Sequence, residues 1–111
     1  MDGKTQEIPK AFSPTEASFR ADFKVEEIVE FLYASADGNQ EKFTELVNNL
    51  HQAVDKAANK VTLKEHNEDS LTGQVDAMID LLYFTYGSLV LSGIDPYEIF
   101  NAVHRANMGK I

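Results

Sequence analysis

Val75-Asp76-Ala77-Met78-Ile79-Asp80-Leu81-Leu82-Tyr83-Phe84-Thr85-Tyr86-Gly87-Ser88-Leu89-Val90-Leu91 is the stretch that decides the fold. It is apolar nearly all the way round a 3.6-residue period, which predicts a helix from about Ser70 to Ser92 lying in the middle of a packed structure. Gly93 suits the position just past its end. Two residues do not belong in such a helix. Asp76 and Asp80 sit four apart on one face, and Asp80 is wedged between Ile79 and Leu81-Leu82. Asp prefers caps and turns, so helix propensity does not explain either of them.

Working upstream, Lys64 to Asp69 reads as a polar connection. Before it, Phe43, Leu46, Val47, Leu50, Val54, Ala57, Ala58 and Val61 follow the helical period and place a helix from about Gln40 to Lys60. Asp37-Gly38-Asn39 is a breaker. Ser13-Pro14-Thr15-Glu16 has the form of a capping box, with Pro at the first helical position. The helix it opens carries Phe19, Phe23, Ile28, Phe31 and Leu32 and runs to about Ala36. Downstream, Asp95-Pro96-Tyr97-Glu98 repeats the capping pattern and predicts a short helix to about Ala106. Residues 1–12 show no period and read as a tail or extended lead-in. No alternating strand pattern appears. The expectation is an all-α domain over residues 13–111, a four-helix bundle or pair of helical hairpins completed by dimerisation.

Composition narrows the function. The 111 residues make one domain, and the 43% hydrophobic content is that of a globular chain. There is no cysteine, which excludes disulfides, thiolate metal sites and a cysteine nucleophile. No apolar run approaches the roughly 20 residues that span a bilayer, so no membrane partner is expected, and a cytoplasmic protein is. The net charge of −8 argues against duplex nucleic acid, which calls for a basic footprint.

Where the acids fall says more than how many there are. In the first helix Glu26, Glu27 and Glu30 share one side, next to the apolar stripe. A buried, unpaired Asp80 would cost several kcal/mol or take up a proton. These glutamates cannot relieve it: at roughly 4 Å and an effective dielectric near 20, each like-charge pair costs about 4 kcal/mol. The third helix holds no Lys or Arg. A hard divalent cation resolves the conflict, because Mg²⁺ or Mn²⁺ takes oxygen ligands and helical bundles hold such ions with inward-facing acids. Each feature also has a plainer reading. An EExxE on a helix can be a solvated face, and a lone Asp80 can be a protonated or hydrogen-bonded core acid. Only together do they favour a metal site.

The EExxE of the first helix, a long helical insertion, and then Asp80-Leu81-Leu82-Tyr83-Phe84-Thr85-Tyr86-Gly87 resemble the all-α nucleotide pyrophosphohydrolases of the MazG and phosphoribosyl-ATP pyrophosphohydrolase type, near the branch of dimeric dUTPase-like enzymes. Gly93-Ile94-Asp95-Pro96 and Val103-His104-Arg105-Ala106-Asn107-Met108-Gly109-Lys110 extend the resemblance over roughly residues 13–110. It implies hydrolysis of a nucleoside triphosphate to the monophosphate and pyrophosphate, with Mg²⁺ or Mn²⁺ on Glu26, Glu27, Glu30 and Asp80. Glu27 is the acid expected to accept the proton of the attacking water. The pattern expects Glu three residues before Asp80, where this chain has Ala77; Asp76, one residue earlier, is the carboxylate available to the same ion. Members of that group begin earlier and run on past the Asn-Met-x-Lys segment, which leaves room for further chain at either end.

Asn107 and Lys110 are the expected phosphate and sugar or base contacts, with Arg105 as a third; a solvated terminus is the plainer reading of Lys110. His104 is expected to be a surface or packed histidine before a substrate contact, and neither His51 nor His66 falls at zinc-ligand spacing. Tyr83, Phe84 and Tyr86 could stack on a base, although aromatics in such a helix are more often core. The rival to an enzyme is a non-catalytic helical interaction module with a decayed acid cluster, which Ala77 favours. Phosphoribosyl-ATP is a further substrate possibility. A homodimer is expected, because two strongly apolar helices in so short a chain leave surplus apolar surface.

Overall fold

The computed structural model describes residues 8–66 and 68–109. They form four helices: α1 Pro14–Ala36, α2 Gln40–Thr62, α3 Ser70–Leu91 and α4 Pro96–Met108. There is no strand among the described residues. The all-α expectation holds, and every helix starts where the caps place it. The ends of α2 and α4 run two residues further than the periodicity indicated, within the ordinary uncertainty of helix ends.

The chain divides into two compact units, one reaching Glu68 and one beginning at Asp69. The first is a helical hairpin. Ser13 caps α1 as a full box with Glu16, and Pro14 occupies the first turn, where its missing N–H costs nothing. The helix ends because Asp37 turns left-handed, at φ 50° and ψ 48°, and Gly38 follows at φ 83°. Asn39 then restarts the chain: its Oδ1 accepts the Lys42 N–H at 3.0 Å and caps α2. Two non-helical backbones and a cap in three residues reverse the chain, so α1 and α2 pack together. Val29, Leu32 and Ala36 on α1 and Phe43, Leu46, Val47 and Leu50 on α2 are half-buried. Both sets follow the helical period. The Tyr33 and Phe43 rings meet edge to face at 5.1 Å. Burial ends with Leu50; every described residue from His51 to the end of α2 is exposed.

The second unit is α3 with α4, which leaves it at a bend of 114°. Asp69 caps α3 by accepting the Thr72 N–H at 2.7 Å, and that amide, followed by the Thr72 hydroxyl, holds its carboxyl below the usual Asp range. At the far end Gly93 N–H donates to Val90 O at 3.0 Å and Ile94 N–H to Leu89 O at 3.1 Å. Gly93 sits at φ 78°. This is the full Schellman pattern, and it satisfies the last carbonyls of α3. The cap of α4 differs from expectation. Asp95 Oδ1 accepts from Tyr97 at 3.0 Å and not from Glu98, so the box of α1 is not repeated.

The central position expected for α3 needs correction. In this chain Leu82 is 62% exposed, Phe84 70% and Leu91 90%, and Pro96 is the buried residue among those described. Within its own unit, α3 has a 13-residue neighbour bent sharply away from it, which covers one end of one face. The apolar girdle of this 22-residue helix cannot be satisfied by such a partner. Its hydroxyls make it more apolar still. Thr85 donates to Leu81 O at 2.9 Å, Ser88 to Phe84 O at 3.1 Å and Ser92 to Ser88 O at 2.9 Å, so all three hide their polarity in the helix backbone.

Candidate active site

Glu26, Glu27 and Glu30 lie on the middle turns of α1, all exposed. The hairpin contact fixes the orientation of the helix. Val29 and Leu32 face α2, and the three glutamates occupy the remaining surface near them. Asp76 and Asp80 lie on the second and third turns of α3, also exposed. A dry environment for Asp80 is therefore not supplied within its own unit, and burial of that carboxylate is corrected to exposure. The reason is the one that leaves α3 uncovered.

The acids expected from the sequence are thus divided between the units, three in the first and two in the second. Glu26, Glu27 and Glu30 share one helix of the first unit, Asp76 and Asp80 one helix of the second. Inside either unit, among the described residues, no three His, Asp or Glu side chains are drawn together as a ready cation cage. One straight helix presents its acids outward in a row, and enclosing an ion takes donors from more than one element. None of the five carboxylates takes part in a hydrogen bond or ion pair of the described residues, where Lys42 and Glu45 at 3.9 Å form such a pair. Carboxylates, as hard oxygen donors, suit a hard cation of the Mg²⁺ or Mn²⁺ kind.

Arg105 and Asn107 fall in the last turn of α4, exposed, and Lys110 lies outside the described residues. Arg105 also stands where a cation favours the helix C-terminus, which gives it a structural role besides any contact with substrate. The exposed His104 ring stacks on Phe100, with centroids 6.0 Å apart and planes 4° apart. Tyr83 and Phe84 meet edge to face at 6.1 Å. With Tyr86 they are exposed in the chain and not core. A dent not anticipated from the sequence opens at the hairpin turn, lined by Tyr33, Ala36, Gly38, Asn39, Gln40 and Phe43. At about 20 Å³ it has room for a water and not for a nucleotide. The aromatic pair beside the Asp-Gly-Asn turn is the only signal that could have located it.

No single helix among the described residues is long and apolar enough to cross a membrane. No curated protein and no solved structure matches the chain. One family model does, that of phosphoribosyl-ATP pyrophosphohydrolase, over residues 1–107. The match takes in all three acids of α1, both acids of α3 and nearly all of α4. A match over nearly the whole of an all-helical chain shows the family: the chain belongs to the phosphoribosyl-ATP pyrophosphohydrolase family, whose members are nucleotide pyrophosphohydrolases.

Proposed function

We propose that the protein hydrolyses a nucleoside triphosphate to the nucleoside monophosphate and pyrophosphate, using Mg²⁺ or Mn²⁺ held by Glu26, Glu27, Glu30 and Asp80, with Asp76 available beside them. The observation that carries this reading is the family match over residues 1–107, which spans all five carboxylates. Their chemistry supports it: the donors are hard oxygens without partners among the described residues. When bound, the divalent ion neutralises phosphate charge and lowers the pKa of nearby water.

The residues of the chain do the rest. Water adds across the anhydride between the α- and β-phosphates, that P–O bond breaks, and pyrophosphate leaves. The Glu27 carboxylate takes the proton of the attacking water. Arg105 and Asn107 in α4, together with Lys110, contact the phosphates and the sugar or base. Most of the rate in such a transfer comes from positioning and charge neutralisation, so rigid helices are a suitable frame. The working form is a homodimer, which would cover the apolar surface that α3 leaves open.

The family to which the chain belongs favours a second substrate, phosphoribosyl-ATP, which carries the same triphosphate. One experiment separates the readings. Pyrophosphate release is measured with Mg²⁺ or Mn²⁺ from a panel of canonical and modified nucleoside triphosphates plus phosphoribosyl-ATP, for the native protein, Glu27→Gln and Asp80→Asn. Release by the native protein that both variants lose supports the proposal, and the preferred compound names the substrate. Equal background rates in all three would leave the non-catalytic reading that Ala77 favours.

A further inference from the structure

Phe100 and His104 lie ring on ring in the second half of α4, with planes 4° apart and centroids at 6.0 Å. Phe19 and Phe23 have the same i, i+4 spacing on α1, yet they meet edge to face, at 84° and 4.9 Å. Tyr33 with Phe43 and Tyr83 with Phe84 also meet edge to face. Helical spacing alone therefore does not lay two rings parallel. An edge-to-face pair ends in rings set crosswise. A parallel pair leaves its two outer faces in one orientation, and a further flat ring can continue the stack.

The surroundings of the pair suit a nucleotide. By helix geometry Tyr97, Phe100, His104 and Asn107 fall within an arc of about 80° on α4. That face is open: Phe100 is 66% exposed and the other three are exposed as well, while the buried residue of the helix is Pro96 in its first turn. From Phe100 to Met108 the helix carries Arg105 and no Asp or Glu, in a chain of net charge −8. An anionic ligand meets no acid on this part of α4. The Asn107 amide both donates and accepts, as the edge of a base requires. Resting on the nucleotide reading above, we infer that the Phe100–His104 stack receives the base of the substrate, with Asn107 at the edge of that base. Every base has a π-face, so the stack supplies affinity for a base of any kind.

Pyrophosphate release by the full chain with Mg²⁺ tests this on two compounds. One is the member of the panel above that the native protein hydrolyses fastest. The other is ribose 5-triphosphate, which has the same leaving group and no base, followed as substrate or as competitive inhibitor. Native protein should hold the nucleotide more tightly than the baseless compound. Phe100→Leu and His104→Leu should each raise the KM for the nucleotide, relative to the constant for ribose 5-triphosphate, by about tenfold. Phe100→Tyr and His104→Phe keep a ring in place and should keep the native ratio. Equal constants for the two compounds in native protein overturn the inference, and so does a native ratio in both Leu variants; in either case the hydrolase reading stands. A rise shared by both compounds assigns the pair to folding or assembly and overturns the inference too. Native protein that releases pyrophosphate from no compound of the panel overturns both.

Discussion

Ser13 and Glu16 close a reciprocal pair of hydrogen bonds at the start of α1. The Glu16 N–H donates to Ser13 Oγ at 3.2 Å, and the Ser13 N–H donates to Glu16 Oε1 at 2.9 Å. Two of the amides that a helix start leaves unpaired are thereby satisfied without tertiary structure. Ser13→Ala removes one of these bonds and should lower stability by about 1 kcal/mol in urea unfolding.

The same box makes stability depend on pH. The Ser13 amide, followed by its hydroxyl, holds the Glu16 carboxyl below its usual value in the folded chain. A carboxylate with a depressed folded pKa stabilises the fold above its unfolded pKa, and that contribution is lost as pH falls through the folded value. Native protein should therefore lose stability relative to Glu16→Gln as pH falls below the ordinary Glu range. Taking the difference between the two proteins cancels Asp69, which titrates in the same direction. Parallel stability curves down to pH 3 would contradict the role given to the box.

Gly38 should resist substitution for a reason that lies in its backbone alone. Its φ is 83°, and a Cβ built there meets no atom within 4 Å. Gly38→Ala should therefore cost about 1 kcal/mol in the same unfolding assay, as left-handed strain and not as a clash. Asp37, left-handed at φ 50°, predicts the opposite sign: Asp37→Gly should stabilise the hairpin. A neutral Gly38→Ala would mean that the turn relaxes and does not fix the α1–α2 reversal.

These local features show why the helices were legible and the environment of the acids was not. Ser13, Asp37-Gly38-Asn39, Asp69, Gly93 and Asp95 act through neighbours two to five residues away, so their effect is written in adjacent letters. Only the detail at Asp95 differed, because its side chain reaches the Tyr97 amide before that of Glu98. The burial of α3 is another matter. Its all-round apolarity states a demand for cover and says nothing about which surface supplies it. Ile79 and Leu81 on either side of Asp80 imply a buried carboxylate from sequence alone, yet those neighbours are themselves exposed. Glu26, Glu27 and Glu30 were placed correctly on one helix, since the i, i+3 and i+4 spacings depend only on the helix itself.

If the five acids hold the ion that drives hydrolysis, removing it should abolish pyrophosphate release, and excess Mg²⁺ or Mn²⁺ should restore it. Glu27→Gln and Asp80→Asn preserve shape and hydrogen-bonding capacity while deleting charge, so each should reduce the rate by roughly 100-fold or more. Both positions are exposed, and stability should change by no more than about 0.5 kcal/mol. Loss of activity together with loss of helicity would assign those residues to folding. Full activity in a chelator would remove the metal from the mechanism.

The uncovered girdle of α3 carries the prediction about assembly. Ile79, Leu82 and Phe84 expose more than half of their surface on a helix whose hydroxyls are turned inward to its own backbone. A contiguous apolar patch of that kind drives association, and a twofold pairing closes without leaving a free sticky edge. Sedimentation should find a dimer at micromolar concentration. Leu82→Glu places a charge on the girdle, which a dimer interface would have to desolvate, and should shift the protein to monomer. Pyrophosphate release measured alongside tells whether the acids of a single chain suffice. Activity that falls in step with the dimer fraction means that a working site requires the assembled pair, whereas a fully active Leu82→Glu monomer confines it to one chain. A native protein that sediments as a stable monomer would leave α3 exposed for some purpose other than pairing with its own kind.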